Sequence, residues 1–230
     1  MRKYRSGAGS TIRVNFGIEL VEGLAAFPQT TPLAAAFEQL NDRLQQAYLA
    51  RMSTQKPFRK ARAALRIAEF QAEQEVRKLL RAAEAADGGR RGPLAEALFP
   101  VGIGPVVDPA GSSQPQPVAD LIDRLTKSSR EGMAALGDEW KSRLEAVHGR
   151  LLQALDTYQS ARRASYDAFT TELALRDEHE LAVERIMGAV RGAFPKDRAR
   201  QDIVFPAVVS GSRGGNDPDD EDEPDESKPA

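Results

Sequence analysis

The chain has 230 residues, 41% of them hydrophobic, 29% charged and 6% aromatic, with a net charge of −2 and no cysteine. That balance suits long helices packed along narrow seams better than a deep globular core, and the missing cysteines exclude disulfides and thiolate metal sites. No stretch approaches the ~20 apolar residues of a membrane span, and the basic start Met1-Arg2-Lys3-Tyr4-Arg5 leads into Gly and Ser, not into an apolar run. A secretory leader is therefore not expected, and the default location is cytoplasmic.

The charge is divided along the chain. Residues 217–226 hold eight acids; without residues 217–230 the chain keeps 31 basic against 26 acidic residues. A mildly basic body thus precedes a strongly acidic tail.

Residues 1–10 read as a disordered basic terminus. The alternation Ile12, Val14, Phe16, Ile18, Leu20 then predicts a half-buried strand over 11–21. Thr31 and Pro32 mark a helix start. Leu33, Phe37, Leu40, Leu44 and Ala47 give the first helical face, and Phe58, Ala61, Leu65, Ala68, Ala72, Val76, Leu79 and Ala83 resume it in nearly the same phase after Pro57. The phase match favours one kinked arm over 31–87, with a tight reversal at 53–57 as the alternative. Asp87-Gly88-Gly89 ends it, with glycine available for a left-handed cap.

Residues 88–116 are rich in Gly and Pro. They leave room for a helical turn or two at Leu94 to Phe99 and an extended piece at Val101 to Val107. So long a connector is either functional or a cap over helix ends. A second arm follows over 117–194. In it Met133, Leu136, Trp140, Leu144, Val147, Leu151, Leu155 and Tyr158 share one helix face, and the track runs on through Tyr166, Phe169 and Leu173. Met133, Leu144 and Leu155 are eleven apart, as are Leu136, Val147, Tyr158 and Phe169, which predicts a nearly straight or slightly right-handed winding. A continuous helix is favoured over a break near 128–138, where Ser128 and Glu131 have capping-box spacing. Residues 202–209 read as an edge strand interrupted by Pro206, and 210–230 as a disordered acidic tail. Phe27, Phe99, Phe194 and Phe205 each precede a proline, so each makes a stop with an apolar plug.

These elements predict a mainly α chain: a single domain over 11–209, built as a long antiparallel helical hairpin or an elongated helical bundle. It is coiled-coil-like in its eleven-residue apolar repeat and carries a small β element from its flanks. The arms would be roughly 85 and 115 Å long.

Chemistry-bearing patterns are sparse. Glu145-Ala-Val-His148 has the Glu-x-x-His spacing of di-metal helical bundles, but His179 has Arg176 where the partner Glu would stand. A histidine at a core edge is the plainer reading. No nucleophile–base pair or phosphate loop can be assembled, so no enzyme activity and no cofactor are expected. Lys56, Arg59, Lys60, Arg62 and Arg66 fall within eleven residues without an acid, a stripe suited either to a phosphate backbone or to solvent. No aromatic residue is interleaved with that stripe. Arg176, Asp177, Glu178, His179 and Glu180 interrupt the apolar track, as a collar for a partner, as a proton-transfer site or, preferably, as a helix solvated all round.

No motif set assigns a family. The pattern points to a non-enzymatic structural or adaptor protein that binds protein partners and copies of itself, through apolar residues such as Leu152, Leu173, Leu175 and Leu181 left uncovered on the helices. The alternative is a nucleic-acid-associated protein that uses the basic helix 56–91 and is screened by its acidic tail.

Overall fold

A computed structural model describes residues 1–206. The acidic tail and the last part of the expected 202–209 strand lie outside the described residues. The chain is mainly helical: α1 (Ser10–Ala25), α2 (Thr31–Ala86), α3 (Pro93–Leu98), α4 (Gly104–Val107), α5 (Pro115–Lys127), α6 (Met133–Ala193) and α7 (Arg198–Val204). No strand occurs among the described residues. None of these helices is long and apolar enough to cross a membrane. Two compact units are formed, one from residues 1–55 with 164–206 and the other from 56–163. Helices α2 and α6 each contribute one segment to either unit.

In the unit of residues 56–163, Leu65, Ala68, Ala72, Val76, Leu79 and Ala83 of α2 pack on Met133, Leu136, Trp140, Leu144, Val147 and Leu151 of α6. Both rows advance by three and four residues, so each is one stripe of its helix. The Phe58 ring stacks on that of Tyr158 with centroids 5.8 Å apart. Toward the other end of the pair, Arg130 donates to the carbonyl of Pro93 at 3.2 Å. The two segments are therefore antiparallel. Helix α2 passes through Pro57 without reversing.

The connector acts as a cap. Gly88 and Gly89, both at positive φ, close α2 as expected, with Gly89 N–H bonding back to the Glu84 carbonyl at 2.8 Å. Asp87 then turns its carboxylate onto the free N–H groups of Leu94 and Ala95 at the start of α3, at 3.1 and 2.9 Å. Leu94, Leu98, Phe99 and Val106 join the same core as Val118, Leu121 and Leu125 of α5. Val101 to Val107, expected to be extended, instead turns at Gly102 and forms the short α4, which brings Val106 inward. The second arm is broken, contrary to the continuous helix expected: α5 ends at Lys127 and α6 begins at Met133. Gly132 sits at φ 82°, and its α-carbon faces Leu94 so closely that a side chain would press on that leucine.

In the unit of residues 1–55 and 164–206, α1 and α7 lie against segments of α2 and α6, and Tyr4, Phe16, Leu20, Leu24, Phe37, Leu44, Val183, Val190, Phe194 and Phe205 share one core. The pairs Arg51–Glu172, Asn41–His179 and Phe27–Phe194 again run in opposite senses along the chain. Phe99, Phe194 and Phe205 are buried immediately after the last residues of α3, α6 and α7, the stops their prolines predict.

The strand expected over 11–21 is corrected to helix, and so is the start of the one expected over 202–209. Over 10–24 the inward positions are Ser10, Arg13, Val14, Phe16, Gly17, Leu20 and Leu24, a helical stripe. Three of those seven are polar or lack a side chain, and the period-two run Ile12, Val14, Phe16, Ile18, Leu20, in which Ile12 and Ile18 are exposed, masked the stripe. Residues 202–204 belong to α7, whose start is capped by the Asp197 carboxylate accepting from Arg200 N–H at 3.1 Å.

Candidate functional site

The unit of residues 1–55 and 164–206 encloses a charged and polar network in a helical core. Glu172 is 1% exposed. Its Oε2 accepts from Arg51 Nε at 2.5 Å, and its Oε1 accepts from Ser10 Oγ at 2.5 Å and Arg176 Nη2 at 2.7 Å. Arg176 Nε also donates to Ser10 Oγ at 2.8 Å. One carboxylate thus receives two guanidiniums and a hydroxyl, which is what a buried anion requires.

Two turns on, His179 is 0% exposed. Its Nδ1 lies 2.7 Å from Tyr4 Oη and its Nε2 3.2 Å from Asn41 Oδ1. Asn41 Nδ2 donates to the Val14 carbonyl at 3.2 Å, which leaves its oxygen facing the histidine. The consistent assignment is a neutral ring that donates from Nε2–H to Asn41 and accepts at Nδ1 from the tyrosine hydroxyl. Burial, with Arg13 nearby, lowers the His179 pKa from 6.5 to about 4, and burial pushes the Tyr4 phenol up to about 12.

Arg13 ties the segment before α1 to α6. It donates to the carbonyls of Ala8, Ser6 and Arg176 at 2.8, 2.5 and 3.0 Å, and to Glu180 Oε2 at 3.1 Å. Lys3 reaches Glu180 and Glu184 at 2.9 and 2.5 Å. Hydrogen bonds from Lys3 and then Arg13 hold the Glu180 carboxyl below its usual range. Met1 N and Asp202 form a further ion pair. Both ring nitrogens of His179 are occupied and the ring is enclosed, so this network orders the unit.

Gly17 faces this network. A methyl there would overlap the Asn41 amide, which is fixed between Val14 and His179. Gly17→Ala is expected to cost about 1–3 kcal/mol. Urea unfolding would show this as a lower midpoint.

The expected collar at 176–180 is thus resolved residue by residue. The helix is not solvated all round: His179 is core, Arg176 and Glu180 are half-buried in the network, and Asp177 and Glu178 are exposed, with Glu178 paired to Arg43 at 3.2 Å. The apolar track does not continue through Tyr166 and Leu173, which are exposed; Glu172 and Leu175 take the inner positions instead. Leu175 is therefore buried, whereas Leu152 and Leu181 stand exposed. Tyr4, Arg13, Asn41, Arg51 and Glu172 were not singled out by sequence. For Asn41, Arg51 and Glu172 the signal was available, as polar residues at the three-and-four spacing of the apolar stripes on both arms; Tyr4 and Arg13 lie outside the arms and carried none.

Glu145 is exposed beside Lys141, and His148 is half-buried. Among the described residues no group of three or more His, Asp or Glu side chains is placed to hold a metal ion.

The second candidate lies in the unit of residues 56–163. Lys56, Arg59, Lys60, Arg62 and Arg66 are all exposed on α2, as are Arg77, Lys78 and Arg81 further along. The acids of the same stretch, Glu69, Glu73 and Glu75, are half-buried. Glu69 accepts from the Gly111 N–H at 2.7 Å, while Glu73 and Glu75 pair with Arg77 and Lys78. Every exposed charge on α2 between 56 and 81 is therefore positive. Within this field Ile67 and Phe70 are 58% and 60% exposed and line a shallow groove with Ala63, Arg66 and Gln71.

Fold and sites together define a mainly helical protein with a buried ionic network in one unit and a basic, apolar helix face in the other. No protein-family model matches the chain, and neither the curated proteins nor the solved structures yield a similar protein.

Proposed function

We propose that the chain is a non-enzymatic structural or adaptor protein whose helix faces bind protein partners, including copies of itself. The observation that carries this reading is the exposed apolar pair Ile67 and Phe70 on α2, side chains of a size that cores normally enclose. Leu152, Leu173 and Leu181 of α6 support it, being exposed on the same kind of surface. On this reading the eleven-residue spacing of Met133, Leu144 and Leu155 makes a coiled-coil-like seam. Light scattering at micromolar concentration is expected to give a mass above that of one chain. A monomeric mass, with no stoichiometric partner bound after purification from the native host, overturns the reading.

A second reading, association with nucleic acid, is favoured by one observation. Phe70 stands exposed one turn beyond the run Lys56 to Arg66, so an aromatic face does accompany the basic stripe. On this reading residues 217–226 screen the stripe. If a chain lacking residues 217–230 shows no salt-dependent binding to DNA or RNA, this second reading is lost.

A further inference from the structure

Across residues 56–74 of α2, Lys56, Lys60, Ala63, Ile67, Phe70 and Gln74 recur at steps of four and three. That is a heptad seam, and it lies on the side of the helix away from Ala61, Leu65, Ala68 and Ala72, which fill the core. Ala63, Ile67 and Phe70 form its apolar centre, while Arg59 and Arg66 stand at flanking positions on one side and Lys78 extends the other. Glu73 is the one acid among the flanking positions, and it is already paired with Arg77. A partner helix laid along this seam would bury two large side chains and face mainly positive charge at its edges.

We propose that this face binds an acidic amphipathic helix: a segment of a partner protein with apolar residues at heptad spacing and Asp or Glu beside them. Charge complementarity selects this occupant. A basic helix would meet Lys60 and Arg66 with like charge, and an apolar helix without acids would leave Lys56 and Lys60 at seam positions with no counter-charge. A plain acidic run such as 217–226 offers no large apolar side chain to cover Ile67 and Phe70. The proposal rests on the protein-binding reading above and names its partner.

The test uses the full chain and a synthetic three-heptad peptide, with Leu at the seam and Glu at the flanks so that it does not pair with itself. Its probes are this labelled peptide, a shuffled peptide of the same composition, and a single-stranded DNA of similar length, read by fluorescence anisotropy. The ordered peptide should bind at least about ten-fold more tightly than the shuffled one, and Ile67→Gln with Phe70→Gln should weaken it about ten-fold or more. Lys60→Glu with Arg66→Glu should weaken it comparably and flatten its salt dependence. All four side chains are exposed, so circular dichroism should be unchanged. Equal binding of ordered and shuffled peptides, or an apolar double variant that binds like the parent, overturns the proposal. So does DNA binding that responds to the charge reversal while the ordered peptide fails to bind. If the peptide fails while light scattering still reports self-association, only the partner assignment falls and the wider reading stands.

Discussion

Glu172→Ala should destabilise the unit that holds it by about 3–5 kcal/mol, the usual consequence of removing one partner from a buried ion pair. The loss exceeds that of a hydrogen bond because three donors converge on this carboxylate: Arg51 at 2.5 Å, Arg176 at 2.7 Å and Ser10 at 2.5 Å. Two positive charges held in a helical core would lose the anion between them. The companion variant separates charge from packing. Glu172→Leu combined with Arg51→Met and Arg176→Met replaces the whole cluster with apolar side chains, and should recover much of the stability lost by Glu172→Ala. Chemical denaturation monitored by circular dichroism measures both. A loss under about 1 kcal/mol for Glu172→Ala would mean that solvent reaches the carboxylate and the network is not enclosed.

The two units differ in how much of them the amino-acid sequence announces. In residues 56–163 the inward positions are almost all apolar, so Leu65 to Ala83 and Met133 to Leu151 could be read as two facing stripes and were found as such. What escaped there was backbone geometry. The break before Met133 depends on Gly132 at positive φ against Leu94, a contact set by α3 and invisible to periodicity. In residues 1–55 and 164–206, Arg13, Asn41, Arg51, Glu172 and His179 occupy inward positions, so a pattern search that equates polar with exposed fails. It made a strand of α1, where Ile12 and Val14 alternate with charge, and a solvated collar of 176–180. The exposed candidates fared differently. The basic residues 56–66 stand at the surface as their composition implied. The groove beside them was legible only once Ile67 and Phe70 were seen to lie off the core stripe.

Stability should fall by about 2–3 kcal/mol between pH 7 and pH 4.5, with His179 as the group responsible. The groups that face this ring are Tyr4 from the segment before α1, Arg13 from α1, and Asn41 and Phe37 from α2, with Glu180 following it on α6. No carboxylate among them touches the ring, and burial with Arg13 close by lowers its pKa to about 4. The unfolded chain, with an ordinary histidine near 6.5, therefore binds the extra proton first as the pH falls. The contribution is complete above about pH 6.5 and is lost progressively toward pH 4; the full gap corresponds to about 3 kcal/mol. Glu180, whose folded pKa is depressed, acts in the same direction but at lower pH, its contribution being lost as the pH falls from the ordinary glutamate value of 4.5 through its lowered folded value. The two steps are thus separable. His179→Gln lowers the midpoint at pH 7 but should flatten the dependence between pH 7 and 4.5, leaving the more acidic step in place. Nitrogen chemical shifts of the ring should meanwhile report a neutral Nε2–H tautomer in the folded chain down to about pH 4. A ring that titrates near 6.5 with the fold intact would show that Tyr4 and Asn41 do not enclose it, because desolvation, with Arg13 close by, is what holds the proton off.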